Sequence, residues 1–358
     1  MVQSKSLVLA KNPVGLPIPG EDLVISSSEF DLSAPPPPGG VILKLNYISY
    51  DPYQRGRMRP AGSPYIAGYK LNEPIDNNAI STVIASDNSR FKKGDIVIGI
   101  AKFAEYQVVD KARADKEETA GGFSILSNPL GLDEKLFLGA LGMSGRTAYS
   151  SFYEIGQPKK GEVIFISAAS GAVGQIVGQL AKREGLKVIG SVGSQKKLDF
   201  IKEKLGFDAG FNYKDENAEE ALKRILGELG EKGLDIYYDN VGGEQLDAAI
   251  ATASTFARIV SCGSVSQTSK KPEDTHGIKN MPLVVGKRLQ IRGFLVFDPD
   301  FGPKYREEHQ KNVQKWIKDG EITVQMEITE GIDNAAEGLV GMLKGDNFGK
   351  AILKVADI

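Results

Sequence analysis

Between Val163 and Arg183 the chain reads VIFISAASGAVGQIVGQLAKR, and its small residues fall as Ala168-x-x-Gly171-x-x-Gly174. That spacing bears on phosphate chemistry. Gly171 has no Cβ, so the backbone there lets a phosphate approach, and Gly174 lets a helix lie close to the strand before it. The helix that follows turns the N–H groups of its first turn, and the positive end of its dipole, toward an anion such as a pyrophosphate. About twenty residues on, an Asp or Glu that binds a ribose hydroxyl is expected. The segment Val188-Ile189-Gly190-Ser191-Val192-Gly193-Ser194 holds no acid there, and Lys196 and Lys197 follow at once. Cations at a helix start oppose the dipole, which fits them to a 2′-phosphate. The alternative, a solvated helix start, stays open. Together these readings expect NADP rather than NAD.

The elements that hold these residues follow from hydrophobic periodicity. Val163 to Ala168 is an unbroken run of apolar and β-favouring residues, the pattern of a strand buried on both faces. Ile176, Val177, Leu180 and Ala181 then recur at helical spacing. From about residue 130 to 307 strands and helices alternate, with strands near 163–168, 187–192, 209–212, 234–239, 257–261 and 289–297. This predicts an α/β doubly wound parallel sheet over 130–307. Residues 1–129 read as a β-rich domain of short strands. In it Val41, Leu43 and Leu45 alternate with Ile42, Lys44 and Asn46, as in a half-buried strand. Pro35 to Pro38 with Gly39-Gly40 reads as a loop. Asn128 to Leu141 reads as helix, the charged stretch 217–229 as a helix with a solvated face, 331–343 as helix and 349–355 as a last strand. Residues 308–358 are expected to return to the first domain.

Composition narrows the chemistry. The 358 residues carry a formal charge of −2, so no global field draws nucleic acid or an anionic membrane. One cysteine, Cys262, and two histidines, His276 and His309, leave little for a Cys/His zinc site, so no metal is expected. No apolar run is long enough to span a bilayer and no targeting signal stands at either end, which makes a cytoplasmic protein the expectation. Asp300-Phe301-Gly302 matches a kinase triplet without its companion loops. Arg55, Arg57 and Arg59 read as solvated loop charge.

Eight segments, taken in order, carry a resemblance: DPYQRGRM (51–58), GMSGRTAY (142–149), AASGAVGQIVGQLAK (168–182), GSQKK (193–197), FNYK (211–214), DNVGGE (239–244), CGSVSQ (262–267) and RGFLVFD (292–298). Together they resemble the zinc-independent medium-chain dehydrogenase/reductases, and among these the NADPH-dependent alkenal/enone double-bond reductases, which include prostaglandin reductase and leukotriene B4 12-hydroxydehydrogenase. The resemblance spans nearly the whole chain. It implies a GroES-like β-rich domain plus a Rossmann domain.

The resemblance also implies roles. Met143 and Thr147 would contact the nicotinamide. Gly171, Ala172, Val173 and Gly174 would cradle the pyrophosphate. Lys197 and Tyr213 would hold the 2′-phosphate, with Ser194 also binding the cofactor. Asn240, the turn Cys262, Gly263, Ser264, Val265 and Ser266, and Phe294, Leu295 and Val296 (also expected as strand core) would line the cofactor groove. Asn347 would close over the nicotinamide side. Tyr53 would face the substrate as the catalytic tyrosine, with Tyr65 and Tyr69 as further pocket residues. The chain departs from the pattern at Thr268 and Asn78, where plant members carry tyrosines.

The implied reaction is hydride transfer from NADPH to the β-carbon of an enal or enone. Two alternatives stay open: a quinone oxidoreductase, and a cofactor-binding protein with little catalysis. The partners expected are a small enal or enone substrate and, through 289–297, a second copy of the chain; nucleic acid and membrane are not.

Overall fold

The computed structural model describes residues 1–60, 66–118 and 121–358. The chain forms two compact units, one from residues 1–138 with 326–358 and one from 139–325.

In the first unit a seven-stranded sheet runs in the order Met326–Glu330, Lys350–Lys354, Val41–Ser49, Asp76–Ser86, Ile96–Lys102, Phe123–Ile125, with Tyr106–Val109 also paired to Val41–Ser49. Val41–Ser49 is the central strand. It was expected to be half-buried, but Ile42 and Asn46 are as buried as Leu43 and Leu45. Three strands pair along its length. Asn46 is tolerated inside because Thr82 Oγ1 donates to its Oδ1 (2.8 Å) and its Nδ2 donates to the Asp357 carbonyl (2.7 Å). The helix Ala335–Lys344 packs Leu339 and Val340 into the same core.

In the second unit six parallel strands run in the order Ala209–Asn212, Lys187–Val192, Val163–Ile166, Leu234–Asp239, Ala253–Ser261, Gln290–Gly293. The earliest strand lies in the middle, so the connections reverse direction beside it. In such sheets the carboxyl ends at that reversal are where ligands bind.

Three expectations need correction. Asn128 to Leu141 holds only the short 3-10 helix Glu134–Leu138. The α-helix begins after Gly142 and runs Met143–Ser151, because the chain turns on Gly139 first (Gly142 N–H to its carbonyl, 3.0 Å). The last strand of the parallel sheet stops at Gly293, so Phe294 to Val296 is loop rather than strand core, and Leu295 is exposed. The boundary placed at 307/308 falls within the helix Gly302–Lys318. That helix packs on Met143–Ser151 in the second unit, through Tyr149 Oη to Glu308 (2.5 Å) and His309 to the Ala140 carbonyl (2.9 Å).

Candidate active site

The glycine turn is built as its spacing requires. Strand Val163–Ile166 ends, Ala168 takes a left-handed backbone (φ +48°), and Gly171 N–H closes back on the Ala168 carbonyl (2.9 Å). The helix Gly174–Arg183 starts at once. A Cβ on Gly174 would stand 2.5 Å from the Ala168 oxygen and 2.8 Å from the Ala169 Cα, so only glycine fits. A Cβ on Gly171 would meet nothing but the Ala168 oxygen, at 3.1 Å. One glycine is thus spent on packing, while the other leaves open backbone at the strand's carboxyl end. Ala172 and Val173 complete the turn.

The next strand, Lys187–Val192, ends at Gly193 and Ser194. Ser194 caps the helix Gln195–Glu203, its Oγ accepting the Lys197 N–H. Lys197 is half-buried in the first helical turn. Tyr213 follows strand Ala209–Asn212, with its N–H on the Val192 carbonyl (3.0 Å). Its hydroxyl would lie 2.9 Å from a Cβ on Gly193. Ser194 and the Tyr213 hydroxyl therefore stand at the end of one strand, and Lys197 lies in the first helical turn after it, residue types that suit a phosphate.

Asn240 does more than form a turn. Its Nδ2 donates to the Ser167 carbonyl (2.8 Å) and its N–H to Ser167 Oγ (2.9 Å), tying together the ends of the two strands that flank the reversal. Behind it lies a residue the sequence reading missed. Asp239, buried, accepts from Tyr237 Oη (2.8 Å), Val241 N–H (3.0 Å) and Gly242 N–H (2.7 Å) through one oxygen. Burial pushes its carboxyl up while the three donors pull it back. Its carbonyl takes the N–H groups of Cys262 (2.9 Å) and Gly263 (3.0 Å), which fixes the turn through Ser264. An acid closing a strand just before Asn-x-Gly-Gly was the available signal.

Val265 and Ser266 open the one-turn helix Val265–Thr268. Ser266 Oγ donates to the Val241 carbonyl (2.7 Å) and Thr268 Oγ1 to the Ser264 carbonyl (3.0 Å), so both hydroxyls brace the backbone. Burial pushes the Cys262 thiol up to about 12, so it stands as a thiol rather than a nucleophile. Met143 and Thr147 are half-buried on Met143–Ser151, and the Thr147 carbonyl accepts from Ser151 Oγ (2.8 Å). Phe294 packs on Phe301 with the rings tilted (4.9 Å between ring centres, 32° between planes).

The first unit holds the expected substrate-side residues. Tyr53, half-buried, precedes the short helix Gln54–Arg57, and its hydroxyl donates to Asn77 Oδ1. Tyr69 donates to the Asp76 carbonyl (2.8 Å), and the Arg57 guanidinium lies 4.0 Å from its ring centre. Asn78 N–H donates to Asn77 Oδ1 (2.8 Å). Asn347 lies ahead of strand Lys350–Lys354, its Nδ2 on the Gly349 carbonyl (2.6 Å). Tyr65 lies outside the described residues. Two of the arginines read as solvated are structural instead. Arg55 is buried and donates to the Gly15 (2.8 Å) and Pro13 (3.1 Å) carbonyls, and Arg57 pairs with Asp76 (2.5 Å).

Among the described residues no three His, Cys, Asp or Glu side chains stand together as a metal site, and no helix is long and apolar enough to cross a membrane.

The chain is similar to known proteins along its length. A family model described as zinc-binding dehydrogenase matches residues 172–315, and one described as the N-terminal domain of oxidoreductase matches residues 5–116. The NADP-dependent oxidoreductase RED1 of Cochliobolus heterostrophus is 48% identical, over 100% of this chain and 99% of its own. The NADP(+)-dependent 2-alkenal reductase of Nicotiana tabacum is 38% identical, over 99% of this chain and 98% of its own. The crystal structure of CurA from Vibrio vulnificus in complex with NADPH superposes with a TM-score of 0.87 at 32% identity, covering 99% of this chain and 100% of that one.

Proposed function

Because the chain belongs to the NADPH-dependent alkenal/enone reductase family of zinc-independent medium-chain dehydrogenase/reductases, and is an NADP-dependent oxidoreductase, we propose that it reduces the C=C bond of α,β-unsaturated aldehydes and ketones. The observation that carries this reading is the likeness to the tobacco 2-alkenal reductase along the whole chain.

In this reading the turn Gly171 to Gly174 holds the pyrophosphate, and Ser194, Lys197 and Tyr213 hold the 2′-phosphate. Met143 and Thr147 contact the nicotinamide. Asn240, Cys262 to Ser266 and Phe294 to Val296 line the groove, and Asn347 contacts the nicotinamide side. When bound, NADPH supplies the hydride that goes to the β-carbon. Charge then gathers on the carbonyl oxygen, where a positioned donor lowers the barrier. Tyr53 is that donor. Burial raises its phenol well above the ordinary tyrosine range, so it keeps its proton to donate. The α-carbon takes its proton from solvent. Tyr69, Tyr65 and Thr268 shape the space for the substrate.

Two copies of the chain are expected to associate through strand Gln290–Gly293. It is the last strand of its sheet, its four residues are exposed, and Val285 and Phe297 nearby are 80% and 63% exposed. An open edge of this kind, with exposed apolar side chains beside it, is covered most simply by its own copy.

The experiment is NADPH consumption with a simple enone and a quinone side by side. Faster turnover of the enone is expected. A preference for the quinone points to a quinone oxidoreductase, and tight NADPH binding with no turnover of either to a cofactor-binding protein.

A further inference from the structure

Tyr53 is held through a chain of side chains that brings Asn77 and Lys350 to the segment just before it. Its hydroxyl meets Asn77 Oδ1. The other end of that amide, Nδ2, donates to the Ser49 carbonyl (2.8 Å) and to Asp51 Oδ2 (3.0 Å). Asp51 Oδ1 pairs with Lys350 Nζ (3.1 Å), which also donates to the Tyr50 carbonyl (2.5 Å). Lys350 and Asp51 are 1% and 4% exposed. A buried ion pair is a poor source of stability, because two desolvated charges seldom recover their hydration. What this one provides is direction.

The direction follows from which atoms can accept. The Ser49 carbonyl only accepts, and so do the Asp51 oxygens, which already take donors from Ser49 Oγ (2.5 Å) and Lys350 Nζ (3.1 Å). The amide facing them must present its NH2 group, and the amide cannot be flipped. Oδ1 therefore faces Tyr53 and has no proton to give, so the phenol donates to it. The same oxygen also accepts the Asn78 N–H (2.8 Å). When Tyr53 turns its proton to another acceptor, Asn77 Oδ1 keeps a donor, and no buried acceptor is stranded.

We propose that Asn77, its amide oriented by the buried Asp51–Lys350 pair, is the positioning residue that aims the Tyr53 hydroxyl and accepts its hydrogen bond until a substrate carbonyl oxygen accepts that bond instead. The activity arm of this proposal rests on the reading of Tyr53 as the substrate's donor.

The test places 3-fluorotyrosine at position 53 of the full chain with NADP bound, and reads its fluorine resonance. One resonance, shifted from that of free fluorotyrosine, is expected in the native protein. Asn77→Leu moves it toward the free value. So does the double variant Asp51→Asn/Lys350→Met, which removes both buried charges together and so avoids leaving one unpaired. NADPH affinity, read by its fluorescence, stays within about twofold in each. In enone turnover, Asn77→Leu lowers kcat/KM roughly tenfold, as loss of about one hydrogen bond would. Tyr53→Phe lowers it by a similar factor, and Tyr53→Phe with Asn77→Leu is no worse than either alone. An unmoved fluorine resonance, or losses that multiply in the combined variant, overturns the proposal. If the native protein reduces no enone, the reading of Tyr53 as a donor to substrate fails, and the fluorine comparison still decides whether Asn77 positions it.

Discussion

The Tyr213 hydroxyl lies 2.9 Å from where a Cβ on Gly193 would stand. The two residues come from neighbouring parallel strands, paired Asn212 to Val192, and each leaves its strand at the same edge. Lys197 stands a few residues further on, in a helical turn capped by Ser194. A phosphate taken up here would receive a charged donor and a phenol. Charge-assisted hydrogen bonds are worth about 1.5–3 kcal/mol.

Lys197→Ala is accordingly expected to raise the NADPH dissociation constant roughly 10- to 100-fold and to leave that of NADH unchanged, with Tyr213→Phe acting in the same direction by less. Fluorescence titration of both cofactors checks it. Equal loss for NADPH and NADH would assign Lys197 to general folding rather than to the 2′-phosphate.

The two glycines of the turn predict opposite phenotypes. Gly174→Ala drives a methyl into backbone atoms that cannot move aside, 2.5 and 2.8 Å away. It should cost about 1–3 kcal/mol of stability, seen as a fall in Tm of several degrees. Gly171→Ala meets one oxygen at 3.1 Å. It should leave Tm nearly unchanged but weaken NADPH binding. Equal thermal shifts in both variants would refute this division of roles.

His309 provides a pH signature. Fully buried, its Nε2–H donates to the Ala140 carbonyl (2.9 Å) and its Nδ1 accepts from Gln310 Nε2 (3.2 Å), so the neutral ring satisfies both neighbours. Burial lowers its pKa to about 4. The unfolded chain, with an ordinary histidine near 6.5, then binds the proton that the folded one refuses. Stability is complete above about pH 6.5 and falls as the pH drops toward 4, by up to about 3 kcal/mol. His309→Gln should flatten the slope of Tm against pH in that window. An unchanged slope in the variant would show that other groups set it.

The edge strand gives a prediction for assembly. The native chain should sediment as a dimer at micromolar concentration. Ile291→Lys, which sets a charge on the exposed edge, should yield monomers that still bind NADPH. A native chain that sediments as a monomer removes the proposed interface.

The parallel sheet was legible because its signals are local. Val163–Ile166 is buried on both faces, and the turn after it needs small residues within one short stretch. What was not legible depends on contacts between distant segments. Ile42 and Asn46 looked outward by alternation, yet that face is covered too, with Asn46 meeting Thr82 and the Asp357 carbonyl. Arg57 looked like loop charge until Asp76 and the Tyr69 ring met it. Phe294 to Val296 read as strand from composition, but strand Gln290–Gly293 has a neighbour on one side only and ends first. Tyr53 was found by resemblance, whereas its support was not, since Lys350 reaches Asp51 across 299 residues. Asp239 and His309 were given no role of their own, because a single acid or histidine has no periodicity to betray it.

The central claim is hydride delivery to the β-carbon of a conjugated carbonyl. The most direct measurement uses NADPH deuterated at the transferring position with a simple enone, and locates the label in the product by NMR. A saturated ketone carrying deuterium at the β-carbon is the result predicted. Deuterium on the carbonyl carbon of an allylic alcohol, or no transfer to the enone at all, would contradict it.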